Sequence, residues 1–245
     1  MKGFHPATSF GATVAAHYDN QPRGDEAAAV QFLATYAGRQ PALEFAIGTG
    51  RIALPPRACG VEVDGIELSP HMIQQLRTKL GGADVHVVEG DMSTCDMGRQ
   101  YGLVYVVFNT IFNLLTVDDQ IRCFANAAHH LTSDGVFVVE TAVPFAWMPG
   151  GQGDYVHTEQ VEMDAVTLDV ARYDAVTQLL TENHVRISVQ GISMSPIVCR
   201  LITPGEMDLM ARMAGLQLCE RYENWQRTPF DTQSRAHVSV YMRAP

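Results

Sequence analysis

The feature that most restricts the fold is a rhythm between residues 42 and 140. Short apolar runs at 42–47, 61–68, 85–88, 103–108 and 136–140 alternate with polar turns and segments of helical spacing. The run at 103–108 is nearly continuous in apolar residues, as a strand covered on both faces should be. Ser69-Pro70 supplies an N-cap and a proline at the first helical position, so a helix is expected over 70–80. A helix over 24–37 starts on acidic residues, and another spans 118–131. Strand alternating with helix means a parallel sheet with right-handed crossovers. After Pro144 the period changes to two, with Val185, Ile187 and Val189 set against Arg186, Ser188 and Gln190. Thr203 and Glu206 then form a capping box with Pro204 at the first helical position, and Gly215 stops that helix. Strands over 216–222 and 236–242 close the chain. The expectation is a single α/β domain over 1–245, with a seven-stranded, mostly parallel sheet and helices on both faces. A helical cap over 1–40 precedes it, and an antiparallel β insertion over 144–202, after the fifth strand, acts as a lid on the substrate site.

Composition narrows the function. The 245 residues are 47% hydrophobic, enough to bury a core without staples. The five cysteines are odd in number and scattered, with no C-x-x-C pair, so a reduced, cytoplasmic setting is the simpler reading. No apolar stretch resembles a signal peptide or a membrane span. A net charge of −10 argues against nucleic acid, which needs a basic footprint. Only two of the 17 basic residues are lysines, Lys2 and Lys79, which removes a P-loop lysine and most Schiff-base chemistry. No metal-binding spacing occurs. Small-molecule chemistry remains, and a homodimer is left open.

The strongest local signal is Glu44-Phe45-Ala46-Ile47-Gly48-Thr49-Gly50. Glycines at a strand end let the backbone approach a ligand and turn into a helix. Gly48 to Ala53 also satisfies the dinucleotide pattern G-x-G-x-x-A, so by itself the turn fits a nicotinamide enzyme or a methyltransferase equally. Context separates them. Glu67 ends the second apolar run 17 residues past Gly50, where a carboxylate can accept both hydroxyls of a ribose. Asp91 follows the third run, where it can take an adenine amino group. The acids are 23 and then 24 residues apart, one strand–helix unit each. No Tyr-x-x-x-Lys pair is present, which removes the short-chain dehydrogenases.

With EFAIGTG, GIELSPHM, EGDM and VFNT, residues 42–142 resemble the class I S-adenosylmethionine-dependent methyltransferases, whose sheet is Rossmann-like. The insertion, TPGEMDLMARMAGL and the last strands make the chain similar to the subgroup containing sugar-amine N-methyltransferases of antibiotic pathways. The resemblance implies that S-adenosylmethionine is the cofactor. It gives the methionine part to Ala46, Gly48 and Gly50, the ribose to Glu67, and the adenine to Asp91 with the Met92 backbone. Glu44, Leu68 and Phe108 complete the implied donor site. Ala46 stands where the family often has glycine, a mild departure. Asn109-Thr110-Ile111-Phe112 lacks the paired prolines of nucleic-acid amino-methyltransferases. Pro55-Pro56 stress the next helix if it starts near Arg51.

In an open parallel sheet, ligands bind beyond the carboxyl ends of the strands. Asn109, Asn113, Trp147, Trp225 and Arg235 are therefore the candidate acceptor-side residues. His17, Tyr18 and His237 are candidates for catalysis. Plainer readings stand beside these: Trp225 as packing and His237 as a satisfied core histidine, while His129-His130 are read as partners of a helix dipole. An amine acceptor needs only to lose a proton, whereas a hydroxyl needs a positioned base. The acceptor is thus a small-molecule amine or hydroxyl. A cofactor-binding protein without methyl transfer stands as the alternative, and a nicotinamide oxidoreductase behind it.

Overall fold

Uninterrupted apolar runs become strands because helices cover both faces of the sheet they form. The computed structural model describes residues 1, 3–20, 22–148 and 154–244. In it these runs are β1 (Ala42–Phe45), β2 (Val63–Glu67), β3 (Val87–Glu89), β4 (Tyr101–Val106) and β5 (Leu131–Ala142). Every position of β1, β2 and β4 is buried. β1 pairs in parallel with β2 and β4, and β3 and β5 extend the sheet on either side. β10 (Leu216–Tyr222) and β11 (Ala236–Arg243) complete the order β10-β11-β5-β4-β1-β2-β3, with β11 antiparallel to both neighbours. Asp134-Gly135 is not a strand boundary. It is a bulge inside β5, where the pairing with β4 jumps from Leu131 to Val136.

Two cores flank the sheet. On one side α6 (Val117–His130) and α7 (Pro204–Met213) enclose Phe45, Phe124, Phe137 and Tyr241. On the other, α3 (Glu26–Ala37), α4 (Leu54–Ala58) and α5 (Pro70–Thr78) cover Phe32, Leu33, Ile47 and Leu76. Sequence-encoded caps set the helix starts. Ser69 Oγ accepts from the Met72 amide at 3.3 Å, and both halves of the Thr203–Glu206 capping box are made. α6 begins one residue ahead of the expected start because Thr116 Oγ1 accepts the Asp119 amide at 3.1 Å. The Pro55-Pro56 stress does not arise. α4 starts at Leu54, so both prolines lie in a first turn whose amides need no helical partner.

Residues before β1 add α1 (Pro6–Ser9), α2 (Ala12–His17) and a 3-10 turn at Tyr18–Asn20. The insertion forms a second sheet, the antiparallel meander β6 (Asp154–Val161), β7 (Ala165–Asp174), β8 (Leu179–Ser188) and β9 (Gly191–Arg200). Residues 149–153 of the expected insertion lie outside the described residues. β9 packs on α1 and on a 3-10 turn at Thr110–Asn113. Buried Arg200 fixes the root of this sheet through Gln120 of α6 and Gln178. Among the described residues no helix is long and apolar enough to cross a membrane.

Gly50 holds the turn after β1 against α5. Its φ is +76°, and an added Cβ would lie 2.3 Å from Leu76 Cδ1 and 3.1 Å from Leu54 Cγ. Gly50→Ala should therefore lower stability by about 1–3 kcal/mol, the usual cost of overpacking. A urea unfolding midpoint unchanged from wild type would show that the turn does not need this glycine.

Candidate active site

The carboxyl ends of β1 to β4 open onto a cavity of about 350 Å³, within the range of small-molecule sites. Ala46 and Gly48 form part of its floor, Glu67 to Ser69 one wall, and Gly90 to Met92 another. Asn113, Leu114, Leu115 and Asp119 close the side toward α6. His5, Pro6, Phe10 and Tyr18 form the roof, and no residue of the second sheet lines the space.

Glu67 organises the floor. Its Oε2 accepts from the Gly48 amide and its Oε1 from the Ser69 amide, both at 2.8 Å. Burial pushes this carboxyl above the ordinary range, and the two amides pull it back. Each oxygen keeps a lone pair beyond the one it uses, so a diol could share the group. Ser69 Oγ donates to the Phe10 carbonyl at 2.6 Å, which fastens roof to floor. Asp91 Oδ1 accepts from the Ser93 amide at 2.7 Å, and Asn126 Nδ2 holds the Met92 carbonyl at 2.9 Å.

A narrower recess behind the floor is lined by Tyr18, Glu44, Ala46, Phe108 and Thr110 among others. Glu44 is fully enclosed, and burial pushes its carboxyl well up despite a 3.0 Å hydrogen bond from Tyr105 Oη. Tyr18 lines both spaces. Burial raises its phenol pKa against the pull of Arg51, whose guanidinium lies 4.8 Å from the ring. The phenol therefore stays protonated at neutral pH and is a hydrogen-bond donor rather than a base.

Backbone strain concentrates here. Ala46, Phe108 and Asn109 have φ of 55°, 59° and 61°, a region L-residues avoid. Alanine at 46 is thus a strained choice and not a mild departure from glycine. The Phe108–Asn109 pair is held by β5. Glu140 Oε2 accepts the Phe108 amide at 2.5 Å, and Asn109 Oδ1 accepts the Ala142 amide at 2.5 Å. Arg23 clamps Glu140 at 2.9 Å and stacks 4.4 Å over the Phe108 ring.

The structure brings Ala46, Gly48, Glu67, Leu68, Asp91, Met92, Asn113 and Tyr18 to the main cavity, and Glu44 and Phe108 to the recess. The other candidates lie elsewhere, each for a physical reason. Gly50 is spent on packing against Leu76. Asn109 turns its side chain back onto β5. His17 is exposed, with its ring on the Thr13 carbonyl at 2.9 Å. Trp147 stands edge-on to Phe112 at 5.3 Å, between the two sheets. Trp225 is buried against Phe32, and Arg235 reaches the Ala146 carbonyl. His237 is fully buried beside Ser239, its Nε2 without a partner and out of reach of the cavity lining. The sequence reading missed the roof residues His5, Pro6 and Phe10, which carry no motif. It also missed Asp119, whose capping role at Thr116 was the available signal. Among the described residues no cluster of three or more His, Cys, Asp or Glu could hold a metal ion.

With this geometry in place, comparison with known proteins is decisive. Residues 42–135 match the model of a methyltransferase domain. The solved CcbJ methyltransferase from Streptomyces caelestis is 36% identical with a TM-score of 0.91, over 99% of this chain and 100% of that one. A dTDP-4-amino-2,3,4,6-tetradeoxy-D-glucose N,N-dimethyltransferase from Saccharopolyspora spinosa is 33% identical over 101 residues, 41% of this chain and 40% of that protein. The fold is also that of SAM-bound CalS10, an amino pentose methyltransferase from Micromonospora echinaspora. It is 22% identical with a TM-score of 0.71, over 100% of both chains. The chain belongs to the S-adenosylmethionine-dependent methyltransferases. That decides between the two readings the Gly48-Thr49-Gly50 turn allowed.

The buried histidines make a pH signature. Burial, with the Arg221 charge adding to it, depresses His237 to about 3, and burial also lowers His130. Both are neutral in the fold, and once unfolded they take up protons below about 6.5. Their contribution to stability is complete above that pH and is lost as pH falls toward their folded values. His237 alone sets a limiting slope of about 1.4 kcal/mol per pH unit between roughly 3 and 6.5. His237→Phe should flatten the decline of the unfolding free energy over that window, and an identical slope in the variant would refute this.

Proposed function

We propose that the chain transfers the methyl group of S-adenosylmethionine to an amine of a small molecule. In this reading Glu67 holds the ribose hydroxyls, Asp91 and the Met92 backbone hold the adenine, and Ala46 and Gly48 receive the methionine part. Ile66, Leu68, Met72 and Leu114 supply the apolar walls an adenosine needs. The observation that carries the reading is Glu67, buried at the cavity wall with one amide on each oxygen and acceptor capacity to spare. The cofactor supplies a methyl on a positively charged sulfur, so no covalent activation is asked of the protein. Its task is alignment of acceptor, methyl and sulfur, an effect that can supply about 7–11 kcal/mol. Tyr18, protonated and facing both spaces, is placed to donate a hydrogen bond at the reacting end. An amine acceptor needs only to lose a proton and does not require the expected bases His17 and His237, both away from the cavity; a hydroxyl would have to use His5 or Asp119 of the lining. The names of the Saccharopolyspora and Micromonospora proteins point the same way.

We further propose that two copies pair through the outer face of the second sheet. Val156 and Ile192, both 67% exposed, Met194 at 63% and Val161 at 76% share that face with Val170 and Ile187. A contiguous apolar surface of this kind on one side of a sheet suits a self-complementary two-fold contact. Sedimentation should give a dimer at micromolar concentration, and Ile187→Glu should give a monomer. A wild-type monomer would end the idea.

For the site, Glu67→Ala and Asp91→Ala should each weaken S-adenosylhomocysteine binding by about 0.5–3 kcal/mol, roughly twofold to a hundredfold in Kd. Tyr18→Phe should lower kcat more than it changes cofactor affinity. Calorimetry on the variants, with mass-spectrometric turnover of paired amine and hydroxyl acceptors, checks all of these. Wild-type affinity in both acid variants would remove the donor-site assignment.

A further inference from the structure

We propose that the Asp169 and Glu182 carboxyls, with the Tyr155 hydroxyl, form an anchor for a protonated nitrogen of the acceptor on the inner face of the second sheet; the inference rests on the methyl-transfer reading above. Cross-strand pairing puts Tyr155, Ala171 and Glu182 in one row, and Asp169 in the next row between His157 and His184. The rows share a face because strand side chains alternate. It is the inner face: Ala171, Leu180 and Cys199 on it enter the main core, with Tyr155 packed alongside. The short Ala171 side chain lets Tyr155 Oη donate across it to Glu182 Oε1 at 3.2 Å, and the Asp169 carboxyl lies beside Glu182.

Asp169 is only 8% exposed, and its Oδ1 is enclosed with no hydrogen-bond partner. A buried, acceptor-only oxygen left bare carries a desolvation cost that a donor from elsewhere would remove. No cation of the sheet fills that role. Arg186 is bound to Glu162 at 2.6 Å, Arg172 lies on the other face, and Arg200 is held by Gln120 and Gln178. His184 is taken by Glu159 at 2.9 Å, and the paired His157 makes no hydrogen bond to Asp169 Oδ1. Burial and the adjacent Asp169 push Glu182 up to about 8, as expected of two carboxyls that cannot both ionise side by side. An ammonium group beside the two carboxyls would supply a charge-assisted contact to both.

The pair lies behind the cavity wall on the side of Asn113. Asn113 lines the cavity, and its Oδ1 accepts the Cys199 thiol at 3.8 Å. Cys199 is the diagonal neighbour of Glu182 across β8 and β9, roughly 7–8 Å away by strand geometry. An acceptor longer than a single sugar ring, entering beside Trp147, could present one group to the cofactor and an ammonium to the anchor.

The test titrates the protein, saturated with S-adenosylhomocysteine, with trans-4-aminocyclohexanol and with cyclohexane-1,4-diol, probes of equal shape and different charge. Wild type should bind the amine at least tenfold more tightly than the diol. Asp169→Asn and Glu182→Gln should each abolish that preference while leaving S-adenosylhomocysteine affinity and fold unchanged. Tyr155→Phe, which keeps the ring, should reduce the preference at least threefold and covers the case in which an acid variant does not fold. No preference in wild type, or an undiminished one in the folded variants, overturns the proposal. Failure of S-adenosylhomocysteine to bind wild type would instead strike the methyl-transfer reading, and the amine preference, measured in the same protein, would still report on the anchor.

Discussion

The site depends on one buried carboxylate. Glu67 ends β2, yet it is bonded to the amide of Gly48 in the turn after β1 and to the amide of Ser69 at the cap of α5. Two strand–turn–helix units that also meet through sheet hydrogen bonds and the packing of Gly50 on Leu76 are tied together at their carboxyl ends. Ser69 carries the constraint onward, capping α5 and holding the Phe10 carbonyl of the roof. Removing charge at Glu67 would therefore disturb the floor and roof together, although a strand-end acid contributes nothing to the apolar core. This is why its burial is tolerated: both oxygens are satisfied before any ligand arrives.

Strain collects around that constraint. Left-handed Ala46, Phe108 and Asn109 cost free energy, on the order of 1–3 kcal/mol each, and persist only where surroundings hold them. Here the holding groups come from distant parts of the chain: Glu140 from β5, Arg23 from the segment before α3, and Arg51 from the turn after β1. Arg51 and Lys79 both contact Asp19, at 3.5 and 2.6 Å, and Thr49 Oγ1 donates to Asp19 at 2.8 Å. The 3-10 turn that presents Tyr18 is thereby pinned on two sides. These electrostatic clasps position Tyr18, together with the edge contact of the Phe10 ring at 6.2 Å.

The parts of this arrangement that were legible in the sequence are those governed by local rules. Ser69-Pro70, the Thr203–Glu206 box and the period-two alternation over 185–190 each name their element without knowledge of the rest. The acids Glu44, Glu67 and Asp91 were readable because each lies within two residues of a strand end in a repeating strand–helix unit. What escaped was set by tertiary geometry. Gly50 resembles Gly48 in sequence, but only the position of Leu76 shows that it is a packing glycine. His237 and Trp225 fall on segments that end near the ligand edge, yet strand phase turns His237 into the core and Phe32 captures Trp225. The roof residues His5, Pro6 and Phe10 could not have been read, since short helices at the start of a chain are defined by what they cover.

The imbalance of arginine over lysine finds its reason in the same geometry. Arg77 Nη1 alone reaches the carbonyls of Gly82, Ala83 and Val85; Arg57 joins Val63 to Asp84, and Arg243 takes the carbonyls of Ala128 and Leu131 at the end of α6. A planar guanidinium with five donors satisfies several carbonyls at once, which an ammonium point charge does less well. These three arginines are used at helix ends and loop crossings, and the cavity wall carries Glu67, Asp91 and Asp119 but neither arginine nor lysine. Under the proposed function this bias distinguishes donor from product. A sulfonium is attracted by the acidic wall, whereas the thioether left after transfer carries no charge at sulfur and loses that attraction. The positive charge does not vanish but passes to the acceptor nitrogen, so the field that draws the donor in also stabilises the charge as it moves across.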